Sequence, residues 1–529
     1  MSLVLRGGRI WAGKGLPAAT ALAVRDGRVA AIGGDDAVSG FAGEGTRTVE
    51  LRGRLVVPGF NDAHVHFLEG GFGLLSVNLR GACDEAELAA RLGAQARRLP
   101  PGAWITNGSW DHEAWPSRSL PTRWPIDAVT PDHPVFVKRL DGHMALVNSL
   151  ALRRAGIGRQ TPDPAGGVIE RNREGEPTGI LKDNALELAE RAMPPPSREA
   201  NKAAARAALR EAARLGVTTV QDNSPIDALP TYQDLRAAGE LTARIDVWRP
   251  IAVRSALEEA GVRTGLGDEW IRLGALKIMA DGSFGAGTAA LEAPYDDHPE
   301  SVGLLLHPEA ELREMIRAAD AAGFQLAVHA IGDRASRLVL DAYESAARVH
   351  GPRDRRFRIE HAQMVSRPDL SRYRALGVIA SVQPSHAIDD LRFAEARVGR
   401  ERARLCYNVR SFLQAGIPVA FGTDWYVEPL DPRVGLYAAV ARERPEGGPP
   451  GGWLPEERIG LEDALDLYTR GSAYAEFAER EKGTLEAGKL ADLVVFAADL
   501  MSGPPRDILT TPVDMTVVGG RVVFERERA

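Results

Sequence analysis

Residues 55–66 read LVVPGFNDAHVH, an apolar run that ends in two histidines spaced two apart. A stretch of this length, apolar and punctuated by Pro and Gly, reads as a buried strand. Residues two apart on a strand face the same side, so His64 and His66 can offer both imidazoles to one ion. A lone pair of this kind also arises by chance, and the rest of the chain decides what it means.

Seven more apolar runs follow: 216–222 GVTTVQD, 243–250 ARIDVWRP, 271–282 IRLGALKIMADG, 324–330 FQLAVHA, 356–362 RFRIEHA, 377–385 GVIASVQPS and 417–424 IPVAFGTD. Amphipathic segments such as 198–216 and 307–323 separate them. Strands alternating with helices predict a parallel α/β architecture, and eight repeats favour a closed (β/α)8 TIM barrel over an open sheet. Both ends of the chain read instead as short strands and Gly-rich turns. Neither tail has enough strands to stand alone, so residues 1–56 and 481–529 are expected to combine into one small β-sandwich beside the barrel of residues 57–480. More than a hundred residues separate the first two barrel strands. An insert leaving the C-terminal end of a barrel strand lands over the active site, so residues 80–210 are read as a cap insertion, the competing reading being a peripheral subdomain.

Composition narrows the function classes. The 529 residues are 44% hydrophobic and 26% charged, enough apolar mass for a large core. The net charge of −7 carries no long single-sign block, so nucleic acid is not an expected partner. No apolar run reaches the length of a membrane span and the first residues lack a leader pattern, so a cytoplasmic location, no membrane partner and a small-molecule substrate are expected. A homodimer is the default expectation for a soluble chain. Cys83 and Cys406 are too few for a disulfide framework or a thiolate site, so any metal must be held by nitrogen and oxygen.

The remaining polar residues fall in register with the histidine pair. Lys277, His329, His361 and Asp424 each lie at the C-terminal end of an expected strand, and a barrel brings those ends into one ring. Taken singly, each histidine could be a hydrogen-bonded core residue and Asp424 a helix N-cap. Lys277 stands out because the chain holds seven lysines against 58 arginines, and only an amine can do nucleophilic chemistry. Inside an apolar strand a cation costs several kcal/mol, roughly, unless it is paired or chemically changed. A deprotonated amine can add CO2 to give a carbamate able to bridge two cations; the alternative is an ion pair with Asp281 or Glu360.

The segments VVPGFNDAHVH (56–66), DGHMALVNSLAL (141–152), GGVIERNREGEPTGIL (166–181), LKIMADGSFGAGTAAL (276–291), LAVHAIGDRA (326–335), RIEHAQ (358–363), FGTDW (421–425) and GTLEAGKLADLVV (483–495) together resemble the amidohydrolase superfamily. Within it they resemble the YtcJ-like branch that includes the N-substituted formamide deformylases. The resemblance implies that His64 and His66 bind one divalent metal, that His329 and His361 bind a second, and that Lys277 bridges them as a carbamate. Asp424 would bind metal and move the proton. Zinc is the first expectation for the ion, then iron or manganese, because N/O sites accept several first-row metals. The chain departs from the pattern at Ala286 and Gly287, where relatives often carry a small residue followed by a basic one.

The resulting expectation is hydrolysis of a non-peptide C–N bond, with hydroxide made available near neutral pH by the metal. Asp424 would serve as base and then acid, and His329 or His361 as an electrophilic donor if one metal is bound. Trp110, Asp111, Trp115, His143 and Asn148 of the cap, with Asp281, Ser283 and Arg334 after barrel strands, are the substrate-binding candidates. For the two tryptophans a satellite core is the competing role, and for Arg334 a solvated surface charge. Deamination or cyclic-amide opening on the same barrel is the rival chemistry. A non-catalytic binding role has no need of a full ligand ring.

Overall fold

The computed structural model describes residues 2–224 and 227–527. Eight parallel strands carry the site: β1 (Phe60–Val65), β2 (Val217–Asp222), β3 (Arg244–Pro250), β4 (Ile271–Met279), β5 (Leu326–Ala330), β6 (Arg358–His361), β7 (Ile379–Val382) and β8 (Val419–Phe421). They pair in unbroken sequential order from β1 to β8. A parallel bridge between Val65 and Trp425 draws the last strand back to the first. The amide of Asp424 donates to His64 O at 2.7 Å and that of His66 to Trp425 O at 2.6 Å, so closure itself sets three candidate residues side by side. All eight strands expected from the sequence are present in this (β/α)8 barrel.

The helices bury an apolar stripe against this cylinder. Arg198–Leu215 starts at Ser197, whose hydroxyl accepts from Ala200 N, and stops at Gly216 with φ +82°. Its Ala204, Ala205, Ala208 and Ala212 join the barrel core with Leu209 and Leu215. Each large apolar side chain buried in this way contributes about 1.5–3 kcal/mol.

The apolar run at 55–66 is broken where the sequence reads as continuous. Leu55–Pro58 belongs to the sandwich, and β1 begins at Phe60. Gly59 lies between them, and a Cβ there would sit 2.2 Å from Thr218 Oγ1, so only glycine lets the chain pass. One sandwich sheet is wholly N-terminal, from Ser2–Arg6, Ala21–Arg25, Arg28–Gly33 and Thr46–Glu50. The other joins Arg9–Ile10 and Leu55–Pro58 to Leu493–Phe496, Val513–Val518 and Arg521–Glu525. Leu5, Leu22, Val56, Leu493 and Met515 fill the space between them.

Between β1 and β2 the chain builds a five-stranded sheet from Ile105–Trp110, Val135–Arg139, Met144–Val147, Gly167–Arg171 and Pro177–Asp183. Residues 138–143 of this insertion form part of the wall of the main cavity at the barrel mouth.

Candidate metal centre

Imidazoles and carboxylates converge at the C-terminal ends of the barrel strands. His64, fully buried at the end of β1, has Nδ1 fixed by Glu360 Oε2 at 2.7 Å. Nε2 is then the unprotonated nitrogen, 3.2 Å from Lys277 Nζ and 3.5 Å from Asp424 Oδ1. His66 repeats the arrangement: Nδ1 lies 3.1 Å from Glu69 Oε2, and Nε2 lies 3.2 Å from Asp424 Oδ1. From the far side, His386 Nε2 lies 3.8 Å from Asp424 Oδ2. Two trios result, His64–His66–Asp424 and His361–His386–Asp424, each with ligand atoms within 4.8 Å of one another. Asp424 is common to both.

These donor types fit a cation, and three of the atoms are left without a hydrogen bond. Among the described residues, buried His361 Nδ1, His386 Nε2 and Asp424 Oδ1 make no hydrogen bond of good geometry. Leaving three such atoms unsatisfied costs on the order of 1–3 kcal/mol each, and an ion would satisfy all three. The backbone is strained at the same place. His361 has φ +72° and Asp424 φ +57°, left-handed values that cost residues with a Cβ about 1–3 kcal/mol and cluster at functional sites.

Burial sets the electrostatics. It pushes His64 down to about 4, helped by the Lys277 ammonium, and holds His329 and His361 well below the usual imidazole value. Neutral imidazole is the form that ligates. Burial alone would raise Asp424, but the imidazoles of His64, His66 and His361 outweigh it and keep the carboxyl well below its usual range. His66 goes the other way, to about 9, because Asp424 and Glu69 overcome desolvation.

Lys277 is 6% exposed, and burial pushes its amine down to about 8. Neither expected counter-ion reaches it. Asp281 accepts backbone N–H groups from Ala290, Ile331 and Gly332. Glu360 is forked by Arg358 at 2.7 and 3.3 Å besides holding His64. Among the described residues no carboxylate pairs with the Lys277 amine, whose hydrogen-bond partner is His64.

Of the six residues read from the sequence as metal ligands, His64, His66, Lys277, His329, His361 and Asp424 all line one cavity of about 260 Å³. His329 stands apart from both trios. Its Nε2 donates to Gly282 O at 3.0 Å, and its ring meets His361 edge-on at 4.5 Å. His386 is the third member of the second trio; it sits on the short helix Pro384–Asp390 that follows β7. The sequence reading missed it, although VQPSHA stands at the end of an expected strand as the other candidates do.

The substrate-binding candidates divide. His143 and Ser283 line the cavity, with His143 Nδ1 at 2.8 Å from Asp183 and Ser283 Oγ donating to Asp141 at 3.0 Å. Trp110 and Trp115 belong to the apolar core of the cap, their indoles donating to Val137 O and Ala82 O. Asn148 caps the helix Ser149–Arg154 and holds Thr130 and His133, which is a structural task. Asp111 is taken up by Arg139 and Arg392 behind the wall. Asp281 is fully buried beneath the loop it holds, 3.5 Å from His329 Nε2. Arg334 is exposed and is not among the residues that line the cavity, the placement expected of a solvated surface charge.

Comparison with known proteins identifies relatives of the whole chain. A model of the amidohydrolase family matches residues 47–524. Protein LONG AFTER FAR-RED 3 of Arabidopsis thaliana is 37% identical over 99% of this chain and 91% of its own. YtcJ of Bacillus subtilis is 31% identical over 91% of each chain, and the N-substituted formamide deformylase of Arthrobacter pascens is 29% identical over 96% of this chain and 95% of its own. Among solved structures, an uncharacterized metal-dependent hydrolase from Pyrococcus horikoshii superposes with a TM-score of 0.79 at 29% identity, over 96% of this chain and 99% of that one.

Proposed function

The chain belongs to the amidohydrolase family, and from that premise we propose that it hydrolyses the C–N bond of a small amide, with N-substituted formamides as the first class to test. The observation that carries the reading is Asp424, buried and shared by two histidine trios at the mouth of the barrel. The resemblance to a deformylase supports the choice of bond.

His64, His66 and Asp424 would hold one divalent cation, and His361, His386 and Asp424 a second. Such cations supply hydroxide at neutral pH and polarise a carbonyl. Lys277, buried without a carboxylate partner among the described residues, is proposed to lose a proton to give the free amine, which adds CO2 and loses a second proton to give a carbamate, so that an anionic ligand replaces a buried positive charge. His329, ring against ring with His361, would orient it. Asp424 is ionised at neutral pH and can take a proton from water and return it to the leaving nitrogen. His143 has Nδ1 fixed by Asp183, and because Asp183 and Asp141 overcome desolvation and raise its imidazole above the usual value, the protonated ring can donate from Nε2 to a substrate carbonyl. Water plus formamide then gives amine and formate, with no covalent intermediate on the protein.

The test is a panel of formamides, N-acyl amines, hydantoins and aminopurines offered to metal-loaded protein. Release of formate and amine from an N-substituted formamide is expected. Turnover confined to aminopurines would replace amide hydrolysis by deamination, and turnover confined to hydantoins would replace it by ring opening.

A further inference from the structure

The cavity extends past the metal ligands into an acidic recess that the hydrolytic step leaves unused. Asp389 and Asp390 follow His386 on the helix Pro384–Asp390, three and four residues on, and therefore lie on the same face. Glu428 follows Asp424 by four residues, and all three acids line the cavity.

Glu428 is the informative member. It is only 7% exposed, yet among the described residues no hydrogen bond or ion pair reaches its carboxyl group. Among the described residues the cations around it form no ion pair with it. Arg392 is forked between Asp389 and Asp111, and Arg80 donates to the carbonyl oxygens of Tyr426 and Val427. Asp390 accepts from Gln363 and Tyr407 through a single oxygen, Oδ2. Buried carboxyl groups ordinarily have partners, so an unpartnered one facing a cavity marks a place for a missing donor.

Apart from Lys277 at the metal centre, the cationic side chains on the wall point to the same conclusion by being occupied. Lys138 pairs with Glu190 at 3.1 Å, and Arg139 with Asp111 and Asp141 at 2.9 and 2.7 Å. An anionic substrate would have to break such a pair to be recognised. Phe393 and Val427 supply apolar wall in the same cavity.

We propose that Glu428, with Asp389 and Asp390, forms a subsite for a cationic hydrogen-bond donor, an ammonium or guanidinium group carried by the substrate on a short apolar spacer. One helical turn, about 5–6 Å, separates His386 from the acids on its helix, and this sets the spacer at roughly four carbons. The proposal deepens the amide-hydrolase reading and rests on it for the reacting bond.

Metal-loaded full-length protein is assayed with mono-N-formyl diaminobutane, N-pentylformamide and N-formylaminovalerate, which end in ammonium, methyl and carboxylate on chains of similar length. Charge-assisted hydrogen bonds predict that kcat/KM favours the ammonium compound over the methyl compound by about 10–100-fold. In E428Q and in D390N that ratio falls, to within about threefold in E428Q, chiefly through KM for the ammonium compound. A wild-type enzyme that treats the ammonium and methyl compounds alike, or an undiminished preference in E428Q, overturns the subsite. If none of the three is hydrolysed, the choice of formamide fails, and calorimetry with diaminobutane decides the subsite separately. Binding weakened at least about tenfold in E428Q sustains it, and equal binding or none overturns it.

Discussion

Glu360→Gln is the substitution whose outcome follows most directly from the geometry. The carboxylate accepts from His64 Nδ1 at 2.7 Å and from Arg358 Nε at 2.7 Å, and all three side chains are inaccessible to solvent. Glutamine keeps the shape but has only one oxygen. Turned toward Arg358, it presents its NH2 to His64 Nδ1, and the imidazole must then carry its proton on Nε2, the nitrogen that faces Lys277 and Asp424. A protonated Nε2 cannot ligate. Losing a carboxylate that orients a ligating histidine lowers metal affinity about 10–100-fold, or ~1.4–2.7 kcal/mol. Turned the other way, the amide faces Arg358 and leaves a buried cation short of its counter-charge, which costs up to about 3–5 kcal/mol of stability. Chelator competition reads the first consequence, and a denaturant midpoint reads the second. Metal affinity within about twofold of wild type, at an unchanged midpoint, would refute the reasoning.

Three further outcomes are expected. His386→Ala should remove one equivalent of metal and lower kcat by at least about tenfold without unfolding the chain, because among the described residues the imidazole makes no hydrogen bond through Nε2; metal analysis of the purified variant checks it. Arg334→Ala should leave kcat, KM and stability within experimental error of wild type, as expected for an exposed side chain away from the cavity; a tenfold rise in KM would return Arg334 to substrate binding. With no cation bound, burial pushes the Glu428 carboxyl from 4.5 up to about 8, so the folded state holds its proton more tightly than the unfolded chain, until an ammonium group favours the carboxylate. That contribution is complete below pH ~4.5 and is lost as pH rises to about 8, at ~1.36 kcal/mol per pH unit between them. The stability of E428Q relative to wild type should therefore rise over that range, and a difference that stays constant with pH would contradict it.

The barrel was legible because its signals are local: eight apolar runs, each bounded by turns, with polar residues at one end. Closure then does the work that sequence distance conceals, placing Asp424 N on His64 O across 360 residues of chain. Glu360 was harder to read. Strand alternation sends Glu360 and His361 to opposite faces, so a sequence that shows one as a ligand hides the other. The left-handed backbone at His361 breaks the alternation, and both side chains then serve the same centre. His386 was missed because it lies on a short helix just past β7, where strand periodicity no longer applies. The cap tryptophans illustrate the opposite difficulty. Aromatic residues in an insert look the same in sequence whether they face a substrate or, as Trp110 and Trp115 do, their own core. Burial distinguishes them, and it depends on contacts far along the chain.

Anomalous diffraction from crystals of the metal-loaded protein, collected at the absorption edge of the bound element, tests the proposed centre most directly. Peaks are predicted in the space bounded by His64, His66 and Asp424 and in that bounded by His361, His386 and Asp424, with extra density on Lys277 Nζ between them. Metal bound only elsewhere on the molecule, or hydrolytic activity undiminished in protein stripped of metal, would contradict the assignment.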